Sequence, residues 1–474
     1  MIGSLPSWRI KPARGTFLRL AAVGLTLLAL RLSVSAWGSS AALSLPSAGD
    51  PRAAGFPAAV LLPDDTRAQE QAIRFFEDRL RSDPEDARAY ASLAGYHLQR
   101  LRDTNNTQYL TRALGAAQSS LAVVPDVRNI AGLTVLAQAE LSAHEFIAAR
   151  DRAQRLIELD PSKGASYGIL GDALLELGDY EPATEAFRQM AARGRSTGTE
   201  ARLARYASLR GETEVARRHL FSALALTLNL PSPPREPVAW SRWQLGELAF
   251  GAGDYATAER HYRDALTTFP GYLQAVASLG RVRAAQGDLP GAIKQYEDAI
   301  QRFPDPAYVA ALGDLYTLTG RHRDAANQYE LVEQIGRLTA ATTATAATAA
   351  TTEASGSSGL NDRQLALFYA DHDLKPEEAY ALAAREYEVR RDIYGADALA
   401  WTALKAGKLA EAQAAIEQAL RLGTKDARLF YHAGVIARAA GDQPAARTYL
   451  ERALALNPQF DPLQAAIARR ALAP

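Results

Sequence analysis

The feature that most constrains this chain is a turn that recurs at intervals of about 34 residues. A glycine, often followed by an aspartate, separates two apolar stretches, as at Gly178, Gly253 and Gly287. Glycine suits the left-handed conformation that ends a helix, and the following aspartate can cap the next helix. The spacing therefore predicts helix hairpins that repeat along the chain. Variants of the turn occur at Gly211, Gly320, Gly407 and Gly441.

A second periodic signal follows each turn. An alanine recurs, and a larger side chain follows it four residues later, which places both on one helix face. The first helix of each hairpin carries a Leu-Gly or similar small pair, such as Leu245-Gly246, where a partner helix can approach closely. A chance run of amphipathic helices would not keep these residues in register. The alanine and larger-residue pairs are Ala183/Phe187, Ala258/Tyr262, Ala292/Tyr296, Ala325/Tyr329, Ala412/Ile416 and Ala446/Leu450.

Taken together, these positions resemble the tetratricopeptide repeat consensus over most of residues 66–458. The resemblance implies an all-α fold, a right-handed superhelical solenoid of about ten helix hairpins. Asp461-Pro462 is a good helix start and predicts a C-terminal capping helix to about Leu472. Two matching runs are Tyr167, Leu170, Gly171, Gly178, Tyr180, Ala183, Phe187 and Leu245, Gly246, Gly253, Tyr255, Ala258, Tyr262, Ala265, Pro270.

One low-complexity stretch interrupts the repeats. Residues 339–359 contain almost only Ala, Thr, Ser and Gly and have no apolar period, which predicts a linker. Whether that linker is flexible or begins as a continuation of the preceding helix stays open. It divides the array into a first lobe at 64–338 and a second lobe at 360–474, and the first lobe begins with a lone helix within 64–83.

The start of the chain has the order of a secretory signal. Basic residues precede the uncharged run at 20–30, and small residues follow at 34–36. We predict a signal peptide or N-terminal anchor at 1–36 and a flexible lead at 37–63. Arg31 is unusual in a cleaved signal, so a retained membrane tether through 20–37 remains the alternative. Either form predicts an exported protein, periplasmic or extracellular, and the retained form predicts anchoring to the inner membrane of a bacterium.

Composition excludes several kinds of chemistry. The chain has 53 basic and 53 acidic residues, whereas nucleic-acid-binding proteins carry a basic excess, so no nucleic-acid partner is expected. It has no cysteine, and none of its seven histidines pairs with another at a spacing of four. No nucleotide loop or nucleophile elbow is found either. We expect no enzyme activity, no catalytic residue, no cofactor and no metal.

In repeat proteins of this kind the first helices line a groove that holds an extended peptide or a partner helix. The residues between consensus positions are therefore candidates for partner binding. For the tryptophans beside the proline-rich loop at 230–237, and for Trp401 and Tyr431, packing inside the protein is the alternative interpretation. The candidates are Gln138, Asp172, Arg205, Trp240, Trp243, Glu247, Phe250, Arg281, Asp314, Trp401, Tyr431 and Arg438.

The sequence thus predicts a non-catalytic scaffold of the cell envelope or extracellular space that binds a peptide or partner protein in its groove. A structural or self-assembling envelope protein is one alternative, and a non-catalytic subunit of an enzyme complex is another. The groove has no dense set of Lys, Asn and Arg, so clamping of a partner's C-terminal carboxylate is not expected.

Overall fold

The computed structural model describes residues 61–349 and 362–473. The predicted signal or anchor at 1–36 lies outside these residues, as do most of the predicted lead and the second half of the predicted linker. Residues 58–474 form one compact unit. Everything below concerns the described part of that unit.

The two described ranges are built from α-helices with one short 3-10 turn at Asp126–Arg128, and neither range contains a strand. The all-α prediction is therefore confirmed. The helices are α1 Thr66–Ser82, α2 Ala87–Thr104, α3 Gln108–Val123, α4 Ile130–Ser142, α5 Phe146–Leu159, α6 Gly164–Leu177, α7 Tyr180–Ala192, α8 Thr197–Leu209, α9 Thr213–Leu228, α10 Arg235–Gly251, α11 Tyr255–Thr268, α12 Leu273–Ala285, α13 Leu289–Arg302, α14 Pro306–Leu318, α15 His322–Ala349, α16 Asp362–Asp371, α17 Pro376–Val389, α18 Ile393–Lys405, α19 Leu409–Leu420, α20 Ala427–Ala439, α21 Gln443–Leu456 and α22 Gln464–Leu472.

Within the described ranges, helices α2 to α21 pair in chain order into ten hairpins that stack side by side. Helix α1 precedes the first hairpin as the predicted lone helix, and α22 packs on the last hairpin as the predicted cap. Each hairpin exposes an apolar flank that only its neighbour covers, which is why such units are stable as a stack.

In several hairpins a glycine in the first helix packs against an aromatic ring in the second. A Cβ atom on Gly246 would lie 2.3 Å from Cε1 of Tyr262. Gly171 faces Phe187 and Gly313 faces Tyr329 with equally little room, at 2.5 and 2.4 Å. The predicted small and large positions therefore form the interior of each hairpin.

The turn aspartates behave largely as predicted. Asp254, Asp288 and Asp442 each accept a hydrogen bond from a backbone N–H three residues ahead, at 3.0, 2.9 and 3.0 Å. Asp179 makes no side-chain cap hydrogen bond, so the capping prediction is wrong for that turn. Its helix begins instead with the buried ring of Tyr180, which is 5% exposed.

The packing continues across the predicted linker. Helix α15 extends to Ala349, so the first half of 339–359 is helical. Helix α16 then packs on α14 and α15 as any following hairpin would. Their shared core contains Val309 and Val332 from the first lobe and Phe368, Tyr369 and Ala379 from the second.

A buried ion pair also joins the two lobes. His372, at the end of α16, has Nε2 2.7 Å from Oδ1 of Asp314 on α14 and Nδ1 2.7 Å from the carbonyl oxygen of Phe368. Both partners are acceptors, so both ring nitrogens must carry a proton. Burial lowers the pKa of His372, but the hydrogen bond and charge of Asp314 outweigh it, and the pKa lies above its ordinary value.

We expect Gly246→Ala to lower the free energy of unfolding by about 1–3 kcal/mol, because the added methyl group collides with the Tyr262 ring. Gly251→Ala, on the same helix, is the matched control, since a Cβ there meets nothing within 4 Å. Its effect should stay within about 1 kcal/mol. Chemical unfolding followed by circular dichroism measures both, and equal effects would contradict the packing argument.

The raised pKa of His372 predicts a pH-dependent stability. Its contribution is complete below the unfolded pKa of about 6.5 and is lost as the pH rises through the folded value. The free energy of unfolding of the wild type should therefore fall more between about pH 6 and pH 9 than that of His372→Gln. Comparing the two proteins is essential, because burial lowers the pKa of His97 and His261 to about 4 and they titrate with the opposite sign. Parallel pH profiles would exclude this role for His372.

Candidate partner-binding cavity

The inner ends of the first helices enclose a cavity of about 660 Å³. One wall comes from α10, α12 and α14, and the opposite wall comes from α16, α18 and α20 with the loop before α22. Its volume falls in the range of about 300–1,000 Å³ that is typical of binding pockets. The cavity is therefore large enough to hold a ligand-sized segment.

Glu247 and Arg281 form the polar centre of the first wall. An Nη atom of Arg281 lies 2.6 Å from Oε2 of Glu247, and the guanidinium group stacks over the Phe250 ring at 4.1 Å. Tyr262 and Ser278 donate further hydrogen bonds to Glu247. Burial raises the pKa of Glu247, but Arg281 outweighs it, and the pKa lies below its ordinary value. The wall thus presents a fixed ion pair rather than a lone charge.

The second wall carries the side chains that are most accessible. Tyr394 on α18 is 38% exposed, and Gln364 and Lys425 are also exposed on the cavity lining. Sequence reasoning missed Gln364 and Lys425 because nothing in the repeat pattern indicates that the second lobe faces α10 to α14.

Four of the predicted groove residues line this cavity, namely Glu247, Phe250, Arg281 and Asp314. Three others lie on earlier first helices, outside the lining. Asp172 is bound to Arg202 at 2.6 Å, and Arg205 forms an ion pair with Glu176. Gln138 is half-buried on α4. The structure therefore brings together only the predicted residues of α10, α12 and α14.

Trp240 and Trp243 pack within the protein, as the alternative interpretation proposed. The Trp243 indole donates a hydrogen bond to Oγ of Ser278 at 3.0 Å and meets the ring of Tyr272 edge-on, with centroids 6.3 Å apart. Trp240 lies against buried residues of α9 in the preceding hairpin. Both side chains are half-buried and serve contacts between hairpins.

Trp401 and Tyr431 are buried, at 2% and 3% exposure, and offer no surface to a partner. Trp401 stacks on His432 at 4.3 Å and donates its indole N–H to Asp371 at 2.8 Å. Their assignment to the groove needs this correction, because α18, α20 and α22 close over them in a shared apolar core. Arg438 is exposed but lies outside the cavity lining.

The carboxylates around the cavity are already engaged. Asp461 lies 2.9 Å from Arg428, and Asp371 accepts hydrogen bonds from Trp401 and Gln464.

Over the described residues no group of His, Asp and Glu side chains is arranged to hold a metal ion. In the same residues no helix is both long and apolar enough to cross a membrane.

Comparison with known proteins agrees with this architecture. Family models described as tetratricopeptide repeat match residues 134–196, 249–315 and 398–459. These stretches correspond to hairpins in both lobes. No curated protein matches the sequence.

Several solved structures match the chain at low identity and low TM-score. MamA shares 19% identity over 35% of this chain and 94% of its own, with a TM-score of 0.28. Human IFIT1, solved as a dimer with PPP-AAAA, shares 13% over 83% of this chain and 95% of its own, with a TM-score of 0.42. Cut9–Hcn1, from an APC/C hetero-tetramer, shares 12% over 86% and 95%, with a TM-score of 0.32. The three family matches fall on helix hairpins of both lobes, so the chain contains tetratricopeptide repeats in each lobe.

Proposed function

We propose that this protein is a non-catalytic scaffold that holds a peptide or a segment of a partner protein in the central cavity. The observation that carries the proposal is the placement of Glu247, Arg281 and Asp314 on three successive first helices, all facing one cavity of about 660 Å³. A stack of hairpins repeats its inner face at each step, which suits recognition of an extended segment.

The chemistry of the walls indicates what such a segment would contact. The first wall supplies an ion pair already formed, so it discriminates by shape and by hydrogen bonding rather than by net charge. The second wall supplies Tyr394, whose ring combines apolar area with a polar tip, as at many binding hot spots. A partner segment with mixed polar and apolar side chains fits both walls.

We also propose that the protein works outside the cytoplasm, on the basis of the basic, apolar and small-residue order of residues 1–36. Fusing residues 1–63 to alkaline phosphatase, which is active only after export, should give an active reporter. Charged substitutions in the apolar run, Leu27→Arg with Leu28→Arg, should abolish that activity. N-terminal sequencing of the exported fusion then distinguishes cleavage after Ala36 from a retained anchor. If the fusion with the unchanged apolar run is inactive, export is contradicted.

Site-specific photo-crosslinking tests the cavity as the binding site. A benzoyl-phenylalanine at Tyr394 should capture the partner in the host cell, whereas the same residue at Phe75 should not. Phe75 is the matched control because it is an aromatic residue, 58% exposed, outside the cavity lining. Capture at Phe75 alone would place the interaction elsewhere.

With the captured partner purified, Tyr394→Ala should weaken binding about tenfold or more, as expected for an aromatic anchor. Arg438→Glu should leave the affinity unchanged, since Arg438 is exposed and outside the cavity. Circular dichroism must be the same for both variants. Equal affinities would show that Tyr394 is not a contact.

A further inference from the structure

The second lobe folds back onto the first along a line of contacts that we call the seam. The seam joins the hairpin turns at Gly178, Gly211 and Gly253 to the loops at 390–392, 421–425 and 456–459. The partners are more than 200 positions apart in the chain, as the separations of 243, 215 and 207 show. The seam therefore depends on the whole path of the superhelix and not on any one hairpin.

Side chains of the second lobe satisfy carbonyl groups at the ends of first helices. The last carbonyls of a helix have no partner within it. Thr424 donates to the Leu209 carbonyl oxygen of α8, and Nδ2 of Asn457 donates to that of Phe250 in α10 at 2.8 Å. Arg421 donates to the Gly178 carbonyl oxygen at 3.1 Å. Each contact is a cap supplied from a distant part of the chain.

Two of the seam glycines have a second reason to be glycine. A Cβ on Gly178 would lie 2.4 Å from the carbonyl oxygen of Arg391, and one on Gly211 would lie 2.5 Å from that of Gly423. The turn glycines Gly287 and Gly407 have the same left-handed backbone, yet a Cβ there meets nothing within 4 Å. The close approach is therefore specific to the seam.

The seam is also one edge of the cavity. Ser208 and Ala252, beside two of the turns, line it together with Thr424, Lys425 and Asn457 from the facing loops. Parting the seam would widen the cavity along that edge. The remaining walls are hairpins held to their neighbours by continuous apolar cores.

The composition of the seam favours parting there. Two apolar side chains of the second lobe, Ile393 and Leu422, pack there against the core of α6 and α7, and beside them lie hydrogen bonds and ion pairs. They include the ion pair of Arg390 with Glu176 at 2.5 Å and the Tyr255 hydroxyl on Asn457 at 2.7 Å. A boundary with little apolar burial opens at lower free energy than a stacked core.

We propose that the seam is a latch that closes the superhelix around the cavity and parts to admit or release a large segment. The proposal rests on the proposed function in treating the cavity as the binding site. It goes further in assigning control of access to the cavity to the seam, and that access can be measured without a partner.

The test uses the absence of cysteine in the wild-type chain. Ala311→Cys places one thiol on the cavity wall of α14, away from the seam. The probe is a polyethylene glycol maleimide too large to enter the closed cavity, and N-ethylmaleimide is the small reagent that reports thiol reactivity. The measured quantity is the ratio of the two labelling rates.

Adding Gly211→Ala should raise that ratio about tenfold, because the new Cβ pushes against the Gly423 carbonyl and shifts the population toward the open form. Gly287→Ala is the matched control: it carries the same backbone strain, with φ of 86° against 69°, but no collision. Its ratio should stay at the background value.

Thr424→Val is the second seam variant, since it removes the hydrogen bond to Leu209 without touching a turn. It keeps the test decisive if Gly211→Ala fails to fold. The same ratio in Thr424→Val and in the background protein would overturn the latch. That result would not affect the proposed scaffold function, because capture at Tyr394 is measured separately. Failed capture at Tyr394 together with a raised labelling ratio would instead support the latch and contradict binding in the cavity.

Discussion

The close approach of two helices where a glycine receives an aromatic ring is the interaction on which the structure depends. Gly246 with Tyr262 and Gly313 with Tyr329 leave no room for a Cβ atom, so these hairpins are held at one spacing and one rotation. That geometry fixes which residues of the first helix face its partner and which face inward. Glu247 is adjacent to Gly246, and Asp314 to Gly313, so the packing contact itself determines where the cavity-lining carboxylates lie.

Curvature follows from repeating that geometry. Each hairpin adds a small rotation to the stack, and after several hairpins the chain meets its own earlier turns. The contacts of Tyr180 and Tyr255 with residues near 393 and 457 are where this happens. The cavity is therefore bounded on one edge by contacts that no single hairpin contains, and its shape responds to changes far along the chain.

The packing within a hairpin can be predicted from the sequence, whereas the contact between distant turns of the superhelix cannot. The predicted turn glycines lie between the two helices of a hairpin, because the repeat signal is local; they are Gly178, Gly211, Gly253, Gly287, Gly320, Gly407 and Gly441. Helix α10 begins inside the predicted proline-rich loop, at Arg235, which binds Asp64 and Asp65 from the start of the described chain. Trp401 and Tyr431 were assigned to the groove by register, which cannot show that α22 covers them. The seam results from many small rotations between successive hairpins, and no local repeat signal indicates where they bring distant turns together.

The balanced charge of the chain corresponds to pairing of opposite charges in the folded protein. Its opposite charges are sorted into pairs along the inner surface, with Glu247 on Arg281, Asp314 on His372 and Asp461 on Arg428. Since each of these pairs satisfies itself, an entering segment gains little from them through net charge and more through shape and hydrogen bonds. Affinity then rests on accessible side chains such as Tyr394, and on how readily the seam lets a segment reach them.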